Sequence, residues 1–316
     1  MSAPAAGRWD RRRFLGAVLA APLVAPLLTA GCSQDDGSVS GSSEDDDVAG
    51  AEGATGSTRY PYADGQSQFG DLWLPGGEGP HPVVVLIHGG FWRTGFDLSL
   101  MDALAADVVA HGWAAWNVEY RKVGEEGGGW PGTFVDVAAA VDHLAVLGAA
   151  DDSRTAVALD LDRVAVAGHS AGGHLAAWTA VRDGLPAGAP GADPTVSPVA
   201  VVSQAGVVDL RRAVDDDLGG GAAVGLMGAS PDDEPDRYDL GSPIERVPTG
   251  VAVRCVHGRG DDIVPFDQSE GYVAAATEAG DEAVLAPFDG DHFPVLDPTH
   301  VSWTETLAWL RPFLDG

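Results

Sequence analysis

Five consecutive apolar residues, Val83-Val84-Val85-Leu86-Ile87, leave no polar side chain at alternate positions. A strand that reads this way is buried on both faces, which belongs to parallel sheets covered by helices on either side. Segments of the matching kinds alternate after it. Asp97 to Ala110 carries Leu100, Leu104 and Val108 at helical spacing, Trp113 to Tyr120 is strand-like, and Pro131 to Leu147 is helical with its proline in the first turn. Arg163 to Ala167, Val199 to Val202, Val251 to Val256 and Glu282 to Ala286 read as further strands. Ala171 to Arg182, Gln268 to Ala279 and Val301 to Phe313 read as the helices between and after them. Strands separated by helices imply an α/β architecture with right-handed crossovers. In such sheets the chemistry sits beyond the carboxyl ends of the strands, so functional residues should fall just after strands.

The pentapeptide Gly168-His169-Ser170-Ala171-Gly172 meets that condition, because it follows one apolar strand and opens a helix. A serine on so tight a turn needs neighbours without side chains two positions away on either side, and both are glycine. The turn lifts the Ser170 hydroxyl out of the sheet and aims the Ala171 amide at the oxyanion that forms when a carbonyl is attacked. His88-Gly89-Gly90-Phe91-Trp92 follows the first buried strand. Its Gly90 and Phe91 amides are the expected second and third donors of an oxyanion hole. His88 is expected to brace the loop. Trp92 and His169 are the residues expected to contact substrate.

Serine is a poor nucleophile at neutral pH and needs a base, which in turn needs an acid to orient it. His257-Gly258-Arg259-Gly260-Asp261-Asp262 begins as a strand ends, and His292 lies between the last strand and the last helix. The order Ser170, Asp261, His292, with each residue at a strand end, selects these three from the nine histidines and 47 acids of the chain. Asp262 is the competing acid, and His257 and His300 are the competing bases. His174, one helical turn past the serine, reads as a packing residue. No calcium-loop spacing, phosphate-cradling lysine motif or dinucleotide fingerprint appears, so no metal and no cofactor is expected.

The first 32 residues read as an export signal. Arg11-Arg12-Arg13-Phe14-Leu15 precedes an apolar run of the length of a signal h-region, too short to span a bilayer. The paired arginines resemble a twin-arginine signal. The run ends in Leu28-Thr29-Ala30-Gly31-Cys32, which resembles a lipobox in which Cys32 is acylated. Residues 33–58 are Gly, Ser, Ala and acid, a composition expected of a disordered tether. The catalytic domain is then expected over 59–316, on the outer side of the cytoplasmic membrane and bound to it only through the N-terminal lipid. Only Cys255 remains beside Cys32, so no intramolecular disulfide is available. With 47 acids against 18 bases the chain carries −29, and nucleic acid is excluded as a partner.

At His88-Gly89-Gly90-Phe91-Trp92, Asn117-Val118-Glu119-Tyr120-Arg121, Gly168 to His174, His257-Gly258 with Asp261 and Val264-Pro265, and Asp291-His292-Phe293, the chain resembles the bacterial esterase/lipase branch of the α/β-hydrolase family. The likeness is greatest to its arylformamidase-like (kynurenine formamidase-like) and small carboxylesterase members. The resemblance implies the α/β-hydrolase fold, with a mostly parallel central sheet and helices on both faces. It also implies hydrolysis of a small ester, formamide or amide through an acyl-enzyme. Arg211 to Gly250, where such proteins carry a cap, is rich in Gly and Asp, so the cap is expected to be small or absent. A prolyl-oligopeptidase-like peptidase shares the triad order. A non-catalytic surface-binding lipoprotein on the same scaffold would lack a nucleophile, base or oxyanion glycine, and each is present here.

Overall fold

The computed structural model describes residues 51–52, 56–149 and 159–316. The export signal, Cys32 and most of the expected tether lie outside the described residues. The described chain forms strands β1 (Ala51–Glu52), β2 (Ser57–Pro61), β3 (Phe69–Trp73), β4 (His81–Ile87), β5 (Ala114–Val118), β6 (Leu159–His169), β7 (Ala200–Gln204), β8 (Ala252–Gly258) and β9 (Ala283–Phe288). They make one sheet in the order β1-β2-β3-β5-β4-β6-β7-β8-β9. From β5 through β9 all neighbours are parallel, whereas β1, β2, β3 and β5 pair antiparallel.

The sheet begins earlier than the sequence pattern predicts. Ser57 and Thr58, assigned to the tether, pair with Trp73 and Leu72, and Ala51-Glu52 adds a short strand outside them. The Ser57 and Thr58 side chains are polar because an antiparallel edge needs burial on one face only.

The helices are α1 (Asp102–Ala110), α2 (Gly132–Ala149), α3 (Ala171–Thr179), α4 (Leu210–Asp215), α5 (Ala222–Met227), α6 (Pro235–Gly241), α7 (Asp267–Ala279) and α8 (Val301–Leu314). Even-numbered residues of the central strands, Val84, Leu86, Val202 and Val256, pack with Leu104 and Val108 of α1 and Trp303, Leu307 and Leu310 of α8. A strand's side chains alternate between faces, so Val83, Val85 and Ile87 point the other way, toward the layer where α2 and α3 pack on each other and on β6. All five residues of the opening run are fully buried, as two-sided burial requires. Each such side chain contributes about 1.5–3 kcal/mol over leaving it exposed.

Between β7 and β8 the only helices longer than a single 3₁₀ turn are α4, α5 and α6, of 6, 6 and 7 residues. Leu226, Met227 and Tyr238 of this cap are wholly buried. Its bulky side chains therefore hold it onto the domain, and the cap is small.

Candidate active site

Ser170 sits at the junction of β6 and α3 with φ 57° and ψ −120°, a left-handed conformation that costs a non-glycine residue about 1–3 kcal/mol. The surrounding glycines are sterically obligatory. A Cβ on Gly168 would collide with the Gly172 backbone, and one on Gly172 would collide with the carbonyls of Ile87 and His88. Ser170 is 1% exposed, and its Oγ has no hydrogen-bond partner among the described residues. Ala171 is the first residue of α3, where an N–H has no acceptor inside the helix.

The loop after β4 lies against this turn. A Cβ on Gly89 would stand 2.8 Å from the His169 carbonyl oxygen and 3.0 Å from the Ser170 Cβ, so only glycine permits the approach. Gly90, Phe91 and Trp92 follow with φ of 122°, 54° and 55°, the last two strained for non-glycine residues. Several contacts hold that run in place. Arg93 N–H donates to the Gly90 carbonyl at 3.0 Å, and Val123 N–H donates to the Trp92 carbonyl at 2.7 Å. The buried Trp92 indole donates to the Ala171 carbonyl at 3.1 Å and meets His174 edge-on at 5.2 Å. Trp92 thereby fastens the loop to α3.

Behind the loop, His88 stacks on Tyr120 with ring centroids 4.4 Å apart and places Nε2 2.9 Å from the Glu119 carboxylate. Glu119 also accepts from Lys122 Nζ at 2.6 Å and from the Leu98 amide at 3.1 Å. Burial alone would raise the Glu119 pKa, but His88 and Lys122 outweigh it and hold it at about 2. His88 thus braces the loop, as its place in the sequence suggests.

Asp261 and His292 come together. His292 Nδ1 lies 2.6 Å from Asp261 Oδ2, and both side chains are fully buried. The carboxylate only accepts, so this contact puts the proton on Nδ1 and leaves Nε2 with its lone pair. Asp261 Oδ1 accepts from the Ile263 and Val264 amides, each at 2.9 Å. Burial pushes the Asp261 pKa up. The hydrogen bonds from His257, His292 and Val264 more than reverse this and hold it well below the usual carboxylate range.

His169 connects this pair to the serine turn. Its Nε2 donates to the His292 carbonyl at 3.0 Å, and the two rings lie 4.5 Å apart. The residue next to Ser170 therefore carries the backbone of His292. Burial, and then the neighbouring His292, push the His169 pKa down to about 3, so the ring is neutral at neutral pH. Of the two expected substrate contacts, His169 is 1% exposed and supports His292, and Trp92 is 1% exposed and supports the loop after β4.

None of the competing residues takes the place of Asp261 or His292. Asp262 is exposed. His300 caps α8 and bonds Ser302 at 2.8 Å. His257 is buried beside Asp261 with both ring nitrogens engaged, one on Ser269 Oγ at 2.8 Å and the other on Asp261 and Val264. Cys255 is buried, which pushes its thiol up to about 12 and leaves it inert. No cluster of three metal-ligating side chains occurs among the described residues.

A contact without a sequence signal ties the loop after β4 to the cap. Arg93 donates to the carbonyls of Gly219 and Gly220 at 2.8 and 3.0 Å. Gly219, Gly220 and Gly221 are all left-handed, and a Cβ on Gly219 would meet the Phe91 ring at 2.5 Å. Gly219 lets the cap backbone lie directly on Phe91.

A serine lifted onto a strained strand–helix turn, at the carboxyl edge of a mostly parallel sheet, defines an α/β-hydrolase fold. Within that fold the chain belongs to the BD-FAE family, whose model matches residues 71–275. It is similar to the probable carboxylic ester hydrolase LipM of Mycobacterium tuberculosis (strain ATCC 25618 / H37Rv), at 26% identity over 240 residues, covering 72% of this chain and 52% of LipM. It is also similar to esterase LipQ of the same organism, at 29% identity over 234 residues, covering 70% and 52%. The chain spans about half the length of these curated relatives. Among solved structures, a truncated carbohydrate esterase from gut microbiota superposes with a TM-score of 0.68 at 22% identity, covering 84% of this chain and 99% of the other. Thermogutta terrifontis esterase 2 phosphoramylated by tabun superposes with a TM-score of 0.65 at 21% identity, covering 83% and 95%. These two likenesses concern the fold.

Proposed function

We propose that this protein is a serine hydrolase that cleaves a small carboxylic ester through an acyl-enzyme. The observation that carries the reading is the buried Asp261–His292 pair, held by His169 beside the strained Ser170 turn. Ser170 Oγ attacks the ester carbonyl while His292 Nε2 takes its proton. Asp261 keeps the other proton on Nδ1 and stabilises the imidazolium that forms. The Ala171 amide, with those of Gly90 and Phe91, receives the charge on the carbonyl oxygen. His292 then returns the proton to the leaving alkoxide. Water, deprotonated by the same imidazole, releases the acid and restores the serine.

Esterase relatives support an ester over other acyl substrates. The motifs resembling arylformamidases keep a formamide as the second reading. The N-terminal sequence supports an exported domain, lipid-anchored at Cys32. The test is hydrolysis of p-nitrophenyl acetate through decanoate, N-formylkynurenine and a prolyl anilide, each compared with Ser170→Ala. Turnover of the short esters, abolished in the variant, is expected. Dominant turnover of the formamide selects the second reading, and dominant turnover of the anilide makes the protein a peptidase. Undiminished activity in Ser170→Ala refutes the mechanism.

A further inference from the structure

Asp261 Oδ2 receives two imidazoles, not one. His292 Nδ1 approaches it at 2.6 Å and His257 Nε2 at 3.1 Å. His257 Nε2 also faces the Val264 carbonyl at 3.0 Å. Both partners of that nitrogen are acceptors, so it must carry a proton. Nδ1 then accepts a hydrogen bond from the Ser269 hydroxyl at 2.8 Å. The tautomer of His257 is thus set by Asp261 and the Val264 carbonyl, and the buried Ser269 hydroxyl of α7 adapts to it by donating. His257 is fully buried, which makes its engaged ring nitrogens a fixed feature of the site.

We propose that His257 is a positioning residue that sets how strongly Asp261 holds His292, by donating a competing hydrogen bond to the same carboxylate oxygen. The inference rests on the reading of Ser170, Asp261 and His292 as the catalytic triad. A carboxylate oxygen that shares its charge between two donors binds each less tightly than it would bind one. Removing the His257 donor strengthens the bond to His292 and favours its protonated form, which cannot act as a base. The acid limb of kcat/KM then moves to higher pH. The charged or titratable groups facing His292 are His169 at the end of β6, His257 at the end of β8 and Asp261 on the loop that follows. Asp291 precedes it in its own loop. Only His257 is altered in the test.

His257→Leu removes the donor, while His257→Gln keeps an N–H near the position of Nε2. In His257→Leu the acid limb for p-nitrophenyl acetate is expected to rise by about 0.5–1 pH unit, the worth of one hydrogen bond. His257→Gln is expected to restore it most of the way. Should His257→Leu fold poorly, His257→Met removes the donor with a more adaptable apolar side chain and is expected to give a shift in the same direction. The hydrogen-bonded His292 Nδ1 proton, observed by NMR without substrate, is expected to move downfield in His257→Leu. A folded His257→Leu with lower kcat but an unmoved limb and resonance overturns the proposal and makes the residue merely structural. A shift in His257→Gln as large as in His257→Leu overturns it too. The NMR readout needs no turnover, so it decides the role of His257 even if a fluorophosphonate fails to label Ser170, a failure that bears on the triad reading.

Discussion

Replacing Asp261 by asparagine changes one oxygen to an NH₂ and little else in shape, which isolates what the carboxylate does. Four N–H groups converge on it, those of Ile263 and Val264 on Oδ1 and those of His257 and His292 on Oδ2. An amide can face only one of these pairs with its oxygen. If the oxygen stays with the two backbone amides, the NH₂ meets both imidazoles. His292 then relieves the clash by shifting its proton to Nε2, where the lone pair needed as a base is lost. If the amide turns over, the backbone donors go unpaired. Two hydrogen bonds to a buried charge, at about 1.5–3 kcal/mol each, put the stability loss at about 3–6 kcal/mol. A domain of ordinary stability survives that. The wrong tautomer should lower kcat by about 10⁴, or roughly 5 kcal/mol in barrier. The assay is steady-state hydrolysis of p-nitrophenyl acetate beside urea unfolding of the same preparation. A folded Asp261→Asn within tenfold of the parent kcat would refute the role given to Asp261.

Two further predictions concern stability. Ser170→Gly should unfold at higher urea than Ser170→Ala, by about 1–2 kcal/mol, because glycine tolerates the left-handed conformation that alanine shares with serine. Equal midpoints would show that the turn carries no strain. Burial, followed by the charge of Asp71, pushes the Asp102 pKa up to about 6 from its ordinary 3.8. A carboxyl raised on folding destabilises the protein when ionised, a penalty present above the folded value and absent below the unfolded one. Asp102→Asn should therefore raise the urea midpoint at pH ~7.5 and leave it unchanged near pH ~3. A gain of the same size at both pH values would refute this.

Much of the site was legible because its parts are local. Gly168 to Gly172 encodes a turn that only glycines can close, and the buried run Val83 to Ile87 encodes the two-sided sheet. The rule that chemistry follows strand ends then pointed to Asp261 and His292, which the fold brings to 2.6 Å. Strands β2 and β3 left little trace because a one-sided edge tolerates polar and glycine residues, as in Phe69-Gly70-Asp71. His169 and His257 were visible as histidines near the site, but their roles depend on neighbours 123 and 12 residues away along the chain. Residue type and spacing carry nothing about such contacts. The hold of Arg93 on Gly219 and Gly220 is of the same kind, since backbone carbonyls have no signature in a sequence.

The central claim is that Ser170 is a nucleophile activated by His292, and covalent trapping tests it most directly. The protein is incubated with a fluorophosphonate at neutral pH, digested, and mapped by mass spectrometry. The expected result is one phosphonyl group per chain on the peptide carrying Ser170, no adduct in Ser170→Ala, and much slower labelling in His292→Ala. Labelling that persists in Ser170→Ala, or a folded parent protein that takes no label, would contradict it.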